Sequence, residues 1–242
     1  PEGLPAILSL VLALGVRRMA GRNAIVKKLS SVETLGSASV IASDKTGTLT
    51  RSEMTIERVM TASGATRVTG VGYAPEGRLE PEGGQPHDDA TRREAKLAED
   101  VVVLCGGSLA GNAVLQRDDD GSWRVHGDPT EAAFLVAERK AGFTERRERR
   151  FERLAEIAFT SERKRMSSVE IDRERGGERV LVAKGAPDVL VRLCDRVRVG
   201  AQVVALDDAM RARILGDVEA MSDAALRTLS VAYRPLAPHE DA

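Results

Sequence analysis

Three short apolar runs crowd the second half of the chain, at residues 155–159, 166–171 and 179–183. Few residues separate one from the next, so they read as strands joined by hairpins. Helical stretches surround them. Residues 91–104 have a polar first turn and an apolar later part, 130–141 end at Gly142, a common helix stop, 188–194 follow Pro187, and 208–225 are mostly helical. Further strands are expected at 39–42, 55–60, 66–71, 123–125 and 226–233. Residues 73–90, rich in Gly, Pro and Glu, read as an exposed loop. The pattern is an α+β body of roughly 170 residues.

Composition narrows the function classes. The 242 residues are 42% apolar and 30% charged, which excludes disorder. With 36 basic and 37 acidic residues the net charge is −1. That gives no global attraction to nucleic acid, so any basic site must be local. Two cysteines, Cys105 and Cys194, exclude a disulfide framework and read as small buried hydrophobes. His87, His126 and His239 are scattered and form no zinc spacing. Trp123 reads as a core or edge anchor. The basic run 146–153 reads as a solvated helical face.

Near the start, residues 4–16 are apolar except for Ser9 and Gly15, and Arg17, Arg18, Arg22, Lys27 and Lys28 follow. Thirteen residues do not cross a bilayer, which needs roughly 20. Two readings stay open: a buried helix of a soluble domain, or the cytoplasmic half of a spanning helix, with the basic flank on the cytoplasmic side. In the second reading Glu2 would sit near the membrane midplane, where a carboxylate is costly and marks function.

The strongest chemical signal is Asp44-Lys45-Thr46-Gly47-Thr48-Leu49-Thr50. It follows the β-branched run Ser39-Val40-Ile41-Ala42, placing Asp44 at a strand's C-terminal end, where open α/β sheets bind ligands. A carboxylate there, beside a flexible Gly47, is open to in-line attack on a phosphoryl group. Turn amides and the hydroxyls of Thr46 and Thr48 can hold phosphate oxygens. Mg²⁺ would be needed between Asp44 and the transferred group.

This heptapeptide resembles the phosphorylation signature of the P-type ATPases, ion pumps that form an aspartyl-phosphate. It also resembles the wider haloacid-dehalogenase superfamily, whose phosphatases usually carry a second Asp two residues after the nucleophile as general acid/base. Here that position is Thr46. Without the acid a phosphoenzyme should live longer, which suits a pump rather than a phosphatase. Pro1-Glu2-Gly3-Leu4-Pro5 and the stretches 14–20 and 31–36 are similar to the fourth transmembrane helix and stalk of the type II pumps. The resemblance implies that Glu2 binds the transported cation, of calcium type or sodium/potassium type.

Four further segments resemble the family's nucleotide-binding domain, in the same order. In Gly127-Asp128-Pro129-Thr130-Glu131, Glu131 is implied to reach the adenine or its network, with Asp128 less secure; both also suit a helix start. In Phe159-Thr160-Ser161-Glu162-Arg163-Lys164-Arg165, Phe159 offers a face for adenine and Lys164, with Arg163, can meet phosphates. In Lys184-Gly185-Ala186-Pro187, Lys184 is implied to line the ATP site and Gly185 to allow close approach; a plain edge lysine is the alternative. In Leu226-Arg227-Thr228-Leu229, strand alternation would put Arg227 and Leu229 on one side, with Arg227 on phosphate and Leu229 near adenine by resemblance.

The resemblance implies residues 1–17 as half of a transmembrane helix and 18–55 as stalk and first part of a Rossmann-like phosphorylation domain. Residues 56–235 would be the nucleotide-binding domain, an antiparallel sheet flanked by helices, and 236–242 a truncated end. The catalytic group would be Asp44, Lys45 and Thr46, with Mg²⁺ on Asp44 and Thr46 and the transported cation at Glu2. No Gly-Asp-Gly loop of the kind that completes the family's phosphate site occurs. The expectation is a piece of a multi-pass membrane pump, mostly cytoplasmic, that binds ATP without turnover. A haloacid-dehalogenase-type phosphatase and a non-catalytic ATP-binding module are the other classes.

Overall fold

Pro5 sits in the first turn of helix α1 (Leu4–Ala20), where a missing amide breaks no bond, and Arg17 and Arg18 meet the negative end of its dipole. A computed structural model describes residues 3–44, 48–50, 53–83, 90–237 and 239–240. The chain divides into two units, Pro1–Arg51 and Ser52–Ala242.

In the first unit α1 packs on α2 (Ser30–Gly36). Leu4, Ile7, Leu8, Leu10, Val11 and Leu14 remain half exposed or more. Seventeen residues rise about 25 Å, short of a ~30 Å hydrocarbon core. Among the described residues no helix is long and apolar enough to cross a membrane. The strand expected at 39–42 is not formed. Val40 and Ile41 are 80% and 92% exposed, and no described strand pairs with them. β-propensity expresses itself only through a neighbouring strand and a buried face. No Rossmann-like layer is therefore built among the described residues of this unit.

The second unit begins with a three-stranded antiparallel sheet, β1 (Arg58–Thr61), β2 (Gly64–Val68) and β3 (Leu79–Pro81). β3 arises inside the expected 73–90 loop. Helix α3 (Ala90–Leu109) runs five residues past its expected end and leads to the hairpin β4 (Val114–Arg117) and β5 (Trp123–His126). Then come α4 (Pro129–Lys140) and α5 (Thr144–Arg150).

The main sheet is built from β6 (Phe151–Thr160), β7 (Arg165–Asp172) and β8 (Glu178–Gly185), hairpin to hairpin as expected. After α6 (Pro187–Leu193), a hairpin of β9 (Arg196–Val199) and β10 (Gln202–Ala205), and α7 (Asp208–Asp223), strand β11 (Ser230–Pro235) pairs with β8. The order is β11-β8-β7-β6, all antiparallel. Residues 226–229 lie outside β11, because α7 ends at Asp223 and Ala225 turns through φ 59° before the chain can enter the sheet.

The core lies between α3 and the sheet face that carries Met166, Val180 and Val182, with Leu109, Ala110 and half-buried Val231. A second cluster joins Val59, Val68, Leu104, Phe134 and Ala137. Leu104 is fully buried, which is worth about 2 kcal/mol. Gly107 lets α4 come this close, since a Cβ there would fall inside the Phe134 ring.

The basic run is not a solvated face. Arg147 Nε donates to both oxygens of Glu138, at 2.8 and 3.0 Å, and Glu138 has no exposed surface. Arg150 forks onto buried Asp172 at 2.8 and 2.5 Å. Carboxylates this deep need a hydrogen-bonding cation, and the run supplies one to each. Cys105 and Cys194 are free and half-buried, and burial raises both thiol pKa values, so neither is poised to react. Trp123 has the Arg139 guanidinium 5.1 Å from its ring centroid, as suits an edge anchor.

Candidate functional site

One row crosses the main sheet at a single end: Thr160 pairs with Arg165, Arg165 with Gly185, and Gly185 with Ser230. Three segments singled out in the sequence, around Phe159, Lys184 and Leu229, therefore meet at one edge of the fold. The fourth, at the start of α4, joins them through charge.

Lys184 is the buried centre of this end, 4% exposed. It pairs across the sheet with Met166 and Val231, so its side chain shares their face, toward α3. Its Nζ donates to the Gly107 carbonyl at 3.1 Å and lies 5.0 Å from the Phe134 ring centroid. Burial lowers its pKa to about 8, against the pull of the Glu131 and Asp128 carboxylates and with a push from Arg153. A buried lysine with so few fixed partners has capacity for an anion.

Asp128 caps α4, accepting the Thr130 amide at 2.7 Å. Burial works against its charge, but bonds from Thr130 and Glu131 and the nearby Arg227 hold its pKa below the ordinary value. Glu131 accepts the amides of Asn112 and Ala113 at 2.6 and 2.9 Å. Its carboxylate is thus engaged with backbone, a role the sequence did not suggest. Arg227 is exposed, in the irregular stretch before β11. The strand alternation expected for Arg227 and Leu229 does not apply there. Leu229 instead packs, half-buried, on the cluster around Phe134.

Phe159 is 57% exposed near the end of β6. Lys164 is exposed in the β6–β7 turn at φ 50°, and its carbonyl accepts the Ala186 amide at 2.9 Å. The close approach at Gly185 is made by the chain itself: a Cβ there would meet Arg165 Cβ at 2.6 Å and the Lys164 carbonyl. Arg163 is not brought to Lys184. It donates to the Ala158 carbonyl at 3.2 Å and to Ser167 Oγ at 3.3 Å, and Ser167 faces away from Lys184 by strand alternation.

Sequence reasoning missed Arg153. It donates to the carbonyls of Leu109 and Gly111, to Asn112 Oδ1 at 2.6 Å and to Glu170 at 3.3 Å. Its signal was hidden in a run of like residues. In the first unit Asp44 is exposed. Glu2, Lys45 and Thr46 lie outside the described residues. Among the described residues no three His, Cys, Asp or Glu side chains gather as a metal site.

The family profile "P-type ATPase, cytoplasmic domain N" matches residues 102–241. The chain is 38% identical over 237 residues, 98% of its length, to a calcium-transporting ATPase of Bacillus subtilis, covering 26% of that protein. It is 40% identical over 231 residues, 95% of its length, to a probable cation-transporting ATPase F of Mycobacterium bovis, covering 24%. With a calcium-transporting ATPase type 2C member 1 of Bos taurus it shares 35% over 237 residues, 97% of its length and 24% of the relative's. The chain spans about a quarter of the length of these relatives. On the matched profile and these identities, it belongs to the P-type ATPase family.

Proposed function

We propose that this chain is the ATP-binding part of a cation pump that works through an aspartyl-phosphate at Asp44. What supports the reading is the row Thr160–Arg165–Gly185–Ser230, which gathers an exposed aromatic ring and a buried lysine at one end of the sheet. Adenine would stack on Phe159. Lys184, Lys164 and Arg227 would meet the phosphates, and Leu229 would close the apolar side. Glu131 would shape the pocket through the chain it holds at Asn112 and Ala113, and Asp128 by fixing the start of α4.

In a pump of the relatives' length, the γ-phosphoryl group would pass to Asp44, with Lys45 and Thr46 beside it. The Asp44–phosphate bond forms as the bond to the ADP oxygen breaks. Mg²⁺ is commonly held by one or two carboxylates together with substrate phosphates, and Asp44 fits the role of such a carboxylate. When bound, the ion would neutralise phosphate charge. The transported cation, calcium in the names of two of these relatives, would be bound at Glu2 in the membrane.

Two measurements test this. Titration of ATP into the chain should give saturable binding that weakens in Phe159→Ala and in Lys184→Ala. Unchanged affinity in both would remove the site. For the chemistry, the pump in its membrane should take up label from γ-labelled ATP as an acid-stable, hydroxylamine-sensitive adduct, absent in Asp44→Asn. Label that persists in Asp44→Asn would refute the phosphorylation assignment.

A further inference from the structure

The end of α3 and the chain that leaves it, residues 107–113, receive hydrogen bonds from the side chains of three other elements. Glu131 takes the amides of Asn112 and Ala113. Arg153, from β6, takes the carbonyls of Leu109 and Gly111 and the side-chain oxygen of Asn112. Lys184 takes the carbonyl of Gly107. Leu109 and Ala110 pack into the core, whereas Gly111 and Ala113 are only partly buried and Asn112 is exposed. A pocket of about 220 Å³, open to solvent, abuts the same stretch, with Gly111, Ala113, Leu135, Arg139 and Arg153 among its walls. Beyond Ala110, where this pocket borders the chain, side-chain hydrogen bonds supply much of what fixes the backbone.

We propose that Arg153 is a positioning residue for the nucleotide: by clamping residues 109–112 against Glu131 it holds the Lys184 ammonium where it meets the phosphates. The inference rests on the reading of Lys184 as a phosphate-binding group. Arg153 lies outside all four segments that carried the sequence resemblance.

The same geometry gives Arg153 an electrostatic effect. Three charged groups act on Lys184: Asp128 and Glu131 from the start of α4, and Arg153 from β6. The neighbours on β7 and β11, Met166 and Val231, are apolar, and α3 contributes the Gly107 carbonyl. Arg153 disfavours the charged lysine and the carboxylates favour it. Loss of the guanidinium therefore raises the pKa of Lys184.

The test is ATP affinity of the 242-residue chain, titrated between about pH 6 and 10, a span that brackets the lysine. For the parent, affinity should fall as pH rises through about 8. Arg153→Gln should bind about tenfold more weakly at neutral pH, the effect of one charged hydrogen bond. Its fall should also move to higher pH. Arg153→Lys keeps the charge but loses the fork, so it should bind weakly with the parent's midpoint. Unchanged affinity in Arg153→Gln, or weaker binding with an unmoved midpoint, overturns the proposal; the second result would make Arg153 merely structural. Should Arg153→Gln fail to fold, Asn112→Ala removes an exposed end of the clamp, and parental affinity there overturns it equally. Lys184→Met separates the two claims. If it binds ATP normally, the Lys184 reading falls first; if it binds poorly while the Arg153 variants bind well, only the clamp falls.

Discussion

The Lys184 ammonium lies over the face of Phe134, 5.0 Å from its centroid, and is almost wholly buried. Burial opposes the charge, and the folded pKa of about 8 lies below the ordinary lysine value of 10.5. Between those values the unfolded chain binds more protons than the folded one. Stability therefore rises with pH across that window, and below about 8 the charged lysine costs roughly 3 kcal/mol at most. Lys184→Met should raise urea-unfolding stability at pH 7 by about 1–3 kcal/mol. It should also flatten the pH dependence above 8. Lower stability in the variant would mean that the ammonium is better solvated than its surroundings indicate.

Phe159 should behave in the opposite way. Its ring is 57% exposed, so Phe159→Ala should change folding stability by no more than about 0.5 kcal/mol. Stacking of a base on an aromatic ring is worth about 1–3 kcal/mol. ATP affinity should thus drop about five- to 150-fold in calorimetry while the melting curve stays in place.

Gly107 tests the packing beneath the site. A methyl group there meets the Phe134 ring, and overpacking of this kind costs about 1–3 kcal/mol. Gly107→Ala should lower the unfolding midpoint even though alanine is the better helix former by about 1 kcal/mol. Any net stabilisation would show that α3 and α4 can separate freely.

The pair Arg147–Glu138 gives a further contrast. Arg147→Ala leaves a carboxylate with no exposed surface and no cation on it, and should cost about 3–5 kcal/mol. Replacing both residues by Met should cost much less. Equal losses in the two variants, measured by denaturant unfolding, would count against a buried charge as the cause.

What the sequence made legible follows from how locally each feature is encoded. The hairpin strands β6 to β8 contain short apolar runs with short connections, and each strand includes its run, β6 starting four residues earlier. Lys184 directly follows such a run, so its place at the end of a buried strand could be read from its neighbours. The strand at 39–42 could not be judged locally, because a strand depends on a partner that sequence does not locate. Leu226-Arg227-Thr228-Leu229 has strand composition, yet Ala225 at φ 59° sets where β11 can begin. The β9–β10 hairpin was overlooked although arginine and valine alternate in β9 and Gly200 marks its turn. Arg147, Arg150 and Arg153 look alike in a charged run. Their separate partners, Glu138, Asp172 and the chain after α3, are set by tertiary contacts from 9 to 44 residues away.

Strand β6 forms the outer edge of the main sheet, with Leu154, Ile157 and Phe159 half exposed or more. Its ladder to β7 breaks between Arg153 and Ala155 and again between Ile157 and Thr160. Such breaks bend and twist a border strand. A second copy laid alongside would find aligned donors and acceptors for only a few residues before the spacing failed. The irregularity that leaves Phe159 accessible to a small ligand thus also keeps this border from seeding fibres.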